Sequence, residues 1–272
     1  MSVLLWILLC LVFLAGLYLF LIAPGRKRPD ASALTGWLYA HRGLHGGDVP
    51  ENSLAAFSRA VEAGYGIELD VQLTRDGFLV VHHDASLKRV CGADLRICDI
   101  TFEELCRHPL PDGSCVPLFS DVLTLVGGRV PLIVEVKHHG GAARNAASAL
   151  QQLGAYGGPY CVESFHPLAV RWFRKHAPEV IRGQLAYGLG MKRAQGKKNG
   201  VLDVFLASLT GNALGRPDFV AHDEVSGNDL PTRLTRRMGA HLVAWTVRDP
   251  ARMRALRKKY ELQIFEGFLP DD

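Results

Sequence analysis

The stretch GIELDVQLTRDGFLVVHHD, Gly66 to Asp84, decides how this chain folds. Asp76-Gly77 sits between two strand-like runs, one of the strongest short hairpin signals. Yet the first arm carries Glu68 and Asp70 two residues apart, and the second ends in His82, His83 and Asp84. A hairpin needs none of these groups, and burying them is costly. Only a few residues separate the arms, whereas parallel neighbours need a crossover of about a dozen or more. Phe78–His82 is therefore excluded as the next strand of a parallel sheet. Gly66–Val71 is read as a sheet strand, with QLTRDGFLVV rising above the rim and returning His83 to it.

Working outward, apolar strand-like runs alternate with helical stretches. The runs are Trp37–Arg42, Gly66–Val71, Pro131–Lys137, Tyr160–Phe165, Ile181–Ala186, Asp218–His222, Leu242–Val247 and Leu262–Phe265. The helices between them are predicted at Ser53–Glu62, Phe102–Arg107, Phe119–Val126, Ala142–Leu153, Pro167–His176, Asn228–Met238 and Pro250–Lys259. Several open on a capping residue or an early proline, as in ENSLAAF and RDPARMRAL. Strands alternating with helices imply a parallel sheet, and eight of them give an α/β fold of the (β/α)8 TIM-barrel type.

The chain's 272 residues suit one such barrel, and 48% hydrophobic with 21% charged residues is globular. A net charge of +4 on dispersed basic residues argues against nucleic acid as a partner. The N-terminus departs from this pattern. Ser2 to Ala23 contains no charge, and at about 1.5 Å per residue it is long enough to cross a bilayer. It lacks the basic n-region and small-x-small site of a cleavable signal peptide. Arg26, Lys27 and Arg28 follow it, which places the remainder in the cytoplasm by the positive-inside rule. The soluble part has five cysteines (91, 98, 106, 115 and 161) and no CxxC pair, read as a reducing compartment. The expected organisation is a single-pass membrane anchor at 2–23, a linker at 24–36 and the barrel at 37–272.

The C-terminal ends of the strands are where this fold keeps its active site. In order they offer His41-Arg42, Glu68 and Asp70, Glu135 and Lys137, Glu163, His222 and Trp245. Glu68/Asp70 and Glu135/Lys137 have i, i+2 spacing, so each pair projects from one strand face. Carboxylates gathered at one mouth repel unless a cation or shared proton offsets the charge. Oxygen donors without cysteine suit one hard divalent ion, Mg²⁺ or Ca²⁺. A hard metal with Arg and Lys cradles an anionic oxygen group, most naturally phosphate, and two histidines supply acid and base near neutral pH.

AHRG, PENSLAAF, IELDVQLTRDG with VVHHDASLKR, EVK and WTV occur in this order and resemble the motif series of the glycerophosphodiester phosphodiesterase family, in the phospholipase-C-like phosphodiesterase superfamily. The similarity is dense from Tyr39 to Arg89 and continues more thinly to about Val247. It implies that His41 and His83 are the acid/base pair, that Glu68, Asp70 and Glu135 ligate the metal, and that Arg42 and Lys137 bind phosphate. Trp245 would line the substrate pocket, with Glu51 and Asn52 supporting the site. In the implied mechanism one histidine deprotonates a neighbouring glycerol hydroxyl, which attacks phosphorus. The other protonates the departing alcohol, and water opens the cyclic phosphate to glycerol 3-phosphate.

Three departures stand out. Arg248 follows WTV where the family commonly has Asn, Ser53 replaces the Thr of PENT, and QIFEGFLP replaces a Thr-Asp ending on the last strand, with Glu266 as a substitute acid or a barrel cap. Glu163 reads equally as a supporting group or as strand-end packing, His82 as structural, and His138 and His139 as loop residues. The implied substrate is a glycerophosphodiester or, with the mouth tethered near a bilayer, a lysophospholipid. The rival readings are a lysophospholipase D or other lipid phosphodiesterase of the superfamily, and a non-catalytic barrel kept as a binding domain.

Overall fold

A computed structural model describes residues 2–26, 29–194, 196 and 198–270. Lys27 and Arg28 of the basic cluster, and Lys197, lie outside the described residues. The strands are β1 (Leu38–His41), β2 (Gly66–Leu73), β3 (Leu79–Val81), β4 (Leu132–Val136), β5 (Tyr160–Ser164), β6 (Arg182–Ala186), β7 (Phe219–Asp223), β8 (His241–Val247) and β9 (Leu262–Phe265). All but β3 are parallel, and pairing of β1 with both β2 and β9 closes an eight-stranded barrel.

The hairpin is part of this barrel and not an addition to its strand count. β2 pairs with β1 and β4 along its lower part, while Val71, Gln72 and Leu73 pair antiparallel with Val81, Val80 and Leu79. β2 therefore runs two residues beyond the predicted Val71 and carries the chain up out of the barrel. The backbone N–H of His82 donates to the carbonyl of Asp70 at 3.0 Å, which pins the returning arm beside β2.

Period-two alternation sorts the barrel interior into layers. The floor is apolar: Tyr39, Ile133, Cys161, Ala221, Val243 and Ile264 cluster there, with Leu34 closing the end from below. The Tyr39 hydroxyl donates to the Leu34 carbonyl at 2.7 Å. Two glycines make room for the large rings. A Cβ on Gly66 would lie 2.7 Å from the Tyr39 ring, and one on Gly183 would lie 2.1 Å from that of Phe219. Two residues further up the floor-bearing strands stand His41, Glu68, Glu135, Glu163, Asp223, Trp245 and Glu266, so the layer above the floor is mostly polar.

Outward-facing residues such as Ile67, Leu69, Val134 and Val136 pack with Phe57, Phe119 and Phe173 in a second, larger core. Burial on both faces explains the near-continuous apolar runs of a parallel barrel. Local caps agree with the sequence: Ser53 accepts from Ala56 N–H, Thr101 and Glu104 form a capping box, and Asp229 and Asp249 cap their helices. The segment between β6 and β7, to which no element was assigned from sequence, forms three short helices at Leu189–Ala194, Val201–Ser208 and Asn212–Gly215.

The N-terminal apolar stretch is one helix, α1 (Val3–Ile22), exposed along most of its length. Its last turn is docked. Ile22 is fully buried, its carbonyl accepts from Asn212 Nδ2 at 3.0 Å, and Arg216 Nη1 donates to the Phe20 and Ala23 carbonyls. The cysteine reading needs correction: Cys106 and Cys115 form a disulfide across the loop that follows the helix Phe102–Cys106. They stand nine positions apart, a spacing that matches no CxxC search, and the chain reverses tightly enough to bring their Cα atoms to 5.1 Å.

Candidate active site

The polar layer opens into a cavity of about 340 Å³ at the C-terminal ends of the strands. Its lining includes the charged or titratable His41, Arg42, Glu68, His83, Glu135, Glu163, Asp223, Glu224 and Arg248 and the apolar Phe165, Leu185, Met191, Val225 and Trp245. Asp70 and Lys137 are buried next to this lining, paired with each other and, through Lys137, with Glu135. The residues expected from sequence thus converge. His82, by contrast, is buried away from the cavity, as its alternation with His83 requires.

Charge at the mouth is crowded. Lys137 Nζ lies 2.7 Å from both Asp70 Oδ1 and Glu135 Oε2. Arg42 Nε lies 3.6 Å from Asp70, and the Arg42 backbone N–H donates to Glu68 Oε2 at 3.1 Å from a left-handed conformation. Asn52 Nδ2, also on a left-handed residue, donates to Asp70 Oδ2 at 2.8 Å. Two cations therefore face four buried carboxylates, Glu68, Asp70, Glu135 and Glu163. Burial works against the charge on Asp70, but Lys137 and Arg42 overcome it and hold its carboxyl well below the usual range. Burial followed by the repulsion of Asp70, Glu163 and Glu135 pushes Glu68 well above that range. Burial also raises Glu135 to about 7 and pushes Glu163 well above the usual carboxylate range. Glu163 Oε2 is buried and has no hydrogen-bond partner.

Asp70, His83 and Glu135 each offer a donor atom, all within 4.8 Å of one another. Glu68 opens onto the same cavity 3.9 Å from His41 Nε2. A hard cation fits this donor set, because oxygen ligands dominate it and the four crowded carboxylates face only two cations.

Each histidine has a carboxylate behind it. His83 Nδ1 is 2.6 Å from Asp84 Oδ1, and Arg89 Nε donates to Asp84 Oδ2. Arg89 also grips Glu51 with two further bonds, and Glu51 in turn accepts from Arg42. Burial, reinforced by Lys137 and Arg42, lowers His83 to about 4 against the pull of Asp70 and Asp84. His41 Nδ1 is 3.2 Å from Glu266 Oε2, and burial lowers its pKa while Glu266 opposes the shift. Glu266 also meets His45 Nε2 at 3.5 Å and Arg248 Nη2 at 2.5 Å. Glu266 therefore stands behind His41, and Arg248 stands behind Glu266. Asp84, Arg89 and His45 were missed as site residues, although Asp84 and Arg89 lie inside the quoted VVHHDASLKR stretch.

The model of the glycerophosphoryl diester phosphodiesterase family matches residues 41–260, most of the chain. The chain belongs to this family. Among relatives of the family, a glycerophosphodiester phosphodiesterase from Caldanaerobacter subterraneus subsp. tengcongensis is 34% identical over 165 residues, 56% of this chain and 67% of that protein. Glycerophosphodiester phosphodiesterase 1 of Homo sapiens is 34% identical over 126 residues, 42% of this chain and 37% of that protein. The chain thus spans about two thirds of the first relative and well under half of the second. In three dimensions, an Oleispira antarctica phosphodiesterase solved with the product sn-glycerol-3-phosphate matches at a TM-score of 0.70 and 20% identity, over 86% of this chain and 94% of that one. A Thermotoga maritima glycerophosphodiester phosphodiesterase matches at 0.64 and 24%, over 84% and 93%. At such identities these likenesses speak for the barrel.

Proposed function

We propose that this chain is a membrane-anchored glycerophosphodiester phosphodiesterase that hydrolyses its substrate to glycerol 3-phosphate and an alcohol with one divalent cation. The observation that carries the reading is the convergence of His41, His83, Glu68, Asp70, Glu135 and Lys137 on one cavity, in a chain of this family. Glu68, Asp70 and Glu135 hold the cation, Mg²⁺ or Ca²⁺, which when bound neutralises charge on the phosphoryl oxygens. Arg42 and Lys137 bind the phosphate. Trp245 walls the substrate pocket, while Glu51, Asn52 and Glu163 support the site.

The surroundings of the two histidines support different roles. His83 faces Lys137 and Arg42, which favour its neutral form, and its Nδ1–H is held by Asp84. It is the base that takes the proton from the glycerol hydroxyl. His41 is hydrogen-bonded to Glu266, which stabilises an imidazolium, so it is the acid that protonates the departing alcohol. The roles then reverse as water opens the cyclic phosphate.

The test is turnover by the purified full chain on glycerophosphocholine and related diesters, with glycerol 3-phosphate as product. His83→Ala and Glu68→Ala are expected to lose most of it. A cyclic or headgroup phosphate product points instead to another lipid phosphodiesterase, and absence of turnover with every divalent ion points to a binding barrel. The basic cluster 26–28 supports a cytoplasmic barrel, and the disulfide supports an oxidising compartment.

A further inference from the structure

We infer that an apolar rim, built by the segment between β6 and β7, docks the catalytic mouth onto a lipid bilayer, so that the cavity receives diesters carrying an acyl chain from the membrane. This rests on the phosphodiesterase reading for its chemistry and on α1 as the anchor. The direction of α1 is the first observation. The helix Leu230–Arg237 starts at the mouth end of β7 and descends to the floor end of β8. The Ile22 carbonyl accepts from Thr235 in the last turn of that helix, and Gly25 N–H donates to the carbonyl of Pro217, just before β7. The end of α1 is therefore at the floor. Four residues earlier, the Tyr18 hydroxyl donates to the carbonyl of Ser208. Ser208 is close to Gly211, which packs on Pro167, the first residue of the helix that starts at the mouth end of β5. α1 thus runs from the floor toward the mouth, and Val3–Leu17, all exposed, continue in that direction.

Those residues supply about 22 Å of helix, short of a hydrocarbon core of about 30 Å. Spanning therefore brings the bilayer down onto the mouth itself. The rim there is apolar: Val201 is 89% exposed, Leu202 67%, Val204 52%, Val225 59% and Leu230 56%. Asp203, the acidic residue on the helix Val201–Ser208, is turned inward, buried, and bonded to Lys192 and Tyr187 at 2.6 Å each. The exposed face of that helix is left uncharged, and its last residue is the one Tyr18 touches, so the patch is continuous with the span. Exposed apolar surface of this kind marks an interaction site. The same segment enters the cavity, where Met191 joins Val225, Phe165 and Leu185 in a lining that also carries the charged groups. The cavity thus offers both charged groups to a headgroup and apolar side chains to a tail.

Two experiments test this on the full chain in phosphatidylcholine vesicles. With Cys10, Cys91 and Cys98 changed to Ser, an environment-sensitive thiol label is placed at Val204→Cys, Leu11→Cys or Lys175→Cys, and doxyl lipid is added. Quenching is expected at 204 and 11 and not at 175, on the floor side. An unquenched label at 204 overturns the proposal, and an unquenched label at 11 overturns the span with it. Equal quenching at 204 and 175 overturns the orientation. In the second experiment, Leu202→Glu with Val204→Glu is expected to cut hydrolysis of a vesicle-borne lysophospholipid about tenfold or more, as two apolar side chains leave the interface. Turnover of soluble glycerophosphocholine should stay within about twofold, on the same reasoning. Equal loss on both substrates, or no loss on vesicles, overturns the proposal. If the unaltered chain turns over neither substrate, the phosphodiesterase reading fails while the quenching result still decides the docking.

Discussion

Glu266→Gln removes the charge behind His41 and keeps the side chain's shape. Glu266 Oε2 lies 3.2 Å from His41 Nδ1. A hydrogen bond to a charged group contributes about 1.5–3 kcal/mol. At about 1.4 kcal/mol per decade this converts to roughly 10- to 150-fold in rate, if the bond matters only once His41 carries its proton. The structure favours the lower part of that range. Arg248 and His45 share the same carboxylate, so part of its charge is already offset. The expected loss is therefore about 10- to 30-fold in kcat, with KM nearly unchanged. The pH profile carries a second signature. Glu266 raises the pKa of His41, and without it the imidazolium deprotonates earlier, so the alkaline limb of kcat moves to lower pH. Arg248→Ala frees the charge on Glu266 and moves that limb upward. The assay is steady-state glycerol 3-phosphate release from pH 5 to 10 for the three proteins. A Glu266→Gln enzyme within twofold of the parent at every pH, with an unmoved limb, refutes the positioning role.

His222 is buried between β7 and the helix Leu230–Arg237. Burial alone would lower its pKa, but Asp223 and Asp229 overcome this and raise it to about 9, against 6.5 in the unfolded chain. The charged form is favoured by the fold, so this contribution, about 3 kcal/mol, is complete below pH 6.5 and is lost as pH rises through 9. Thermal unfolding should show that loss in the parent and a flatter curve in His222→Gln. Because Glu135 is raised to about 7 and Glu68 is pushed well above the usual carboxylate range, cation binding should release protons at pH 6.5 and weaken below it, which calorimetry in buffers of different ionisation enthalpy would detect. Chelator should abolish activity, and added Mg²⁺ or Ca²⁺ should restore it. Gly183→Ala drives a Cβ into the Phe219 ring and should cost about 1–3 kcal/mol or more of stability, read as a lowered Tm. Alkylation of denatured, unreduced protein should leave Cys106 and Cys115 blocked if the barrel faces an oxidising compartment, and six free thiols if it faces the cytoplasm.

The barrel was legible because parallel strands buried on both faces are written as apolar runs, and because a short turn cannot join parallel neighbours. The charged half of the mouth was legible for a related reason: i, i+2 spacing at a strand end fixes which residues share a face, as for Glu68 with Asp70 and Glu135 with Lys137. Three things were not. The segment from Tyr187 to Pro217 holds short helices in which Val201, Leu202 and Val204 face outward while Asp203 faces inward, so it lacks the one-sided periodicity that marks a packed helix. The Cys106–Cys115 pair depends on a loop reversal that no spacing rule encodes. His83's dependence on Asp84 and Arg89 is local in sequence, but it becomes visible only when a short helix at Lys88–Cys91 turns Arg89 back toward both Asp84 and Glu51.

Glu266 is the most instructive of the residues whose role the sequence leaves open, because closure of the barrel bears on it. A closed eight-stranded sheet must place its first strand beside its last, and the register pairs Ala40 with Phe265. The next residue on each strand is then His41 on one side and Glu266 on the other, 225 positions apart in the chain and in hydrogen-bonding contact. The same geometry joins the two departures from the family pattern. Arg248 lies just past the end of β8, which neighbours β9, so its guanidinium reaches the Glu266 carboxylate. Read along the sequence, an Arg in place of Asn and a Glu in place of Thr-Asp are two unrelated exceptions. In the barrel they are one ion pair, and its carboxylate lies against His41 Nδ1.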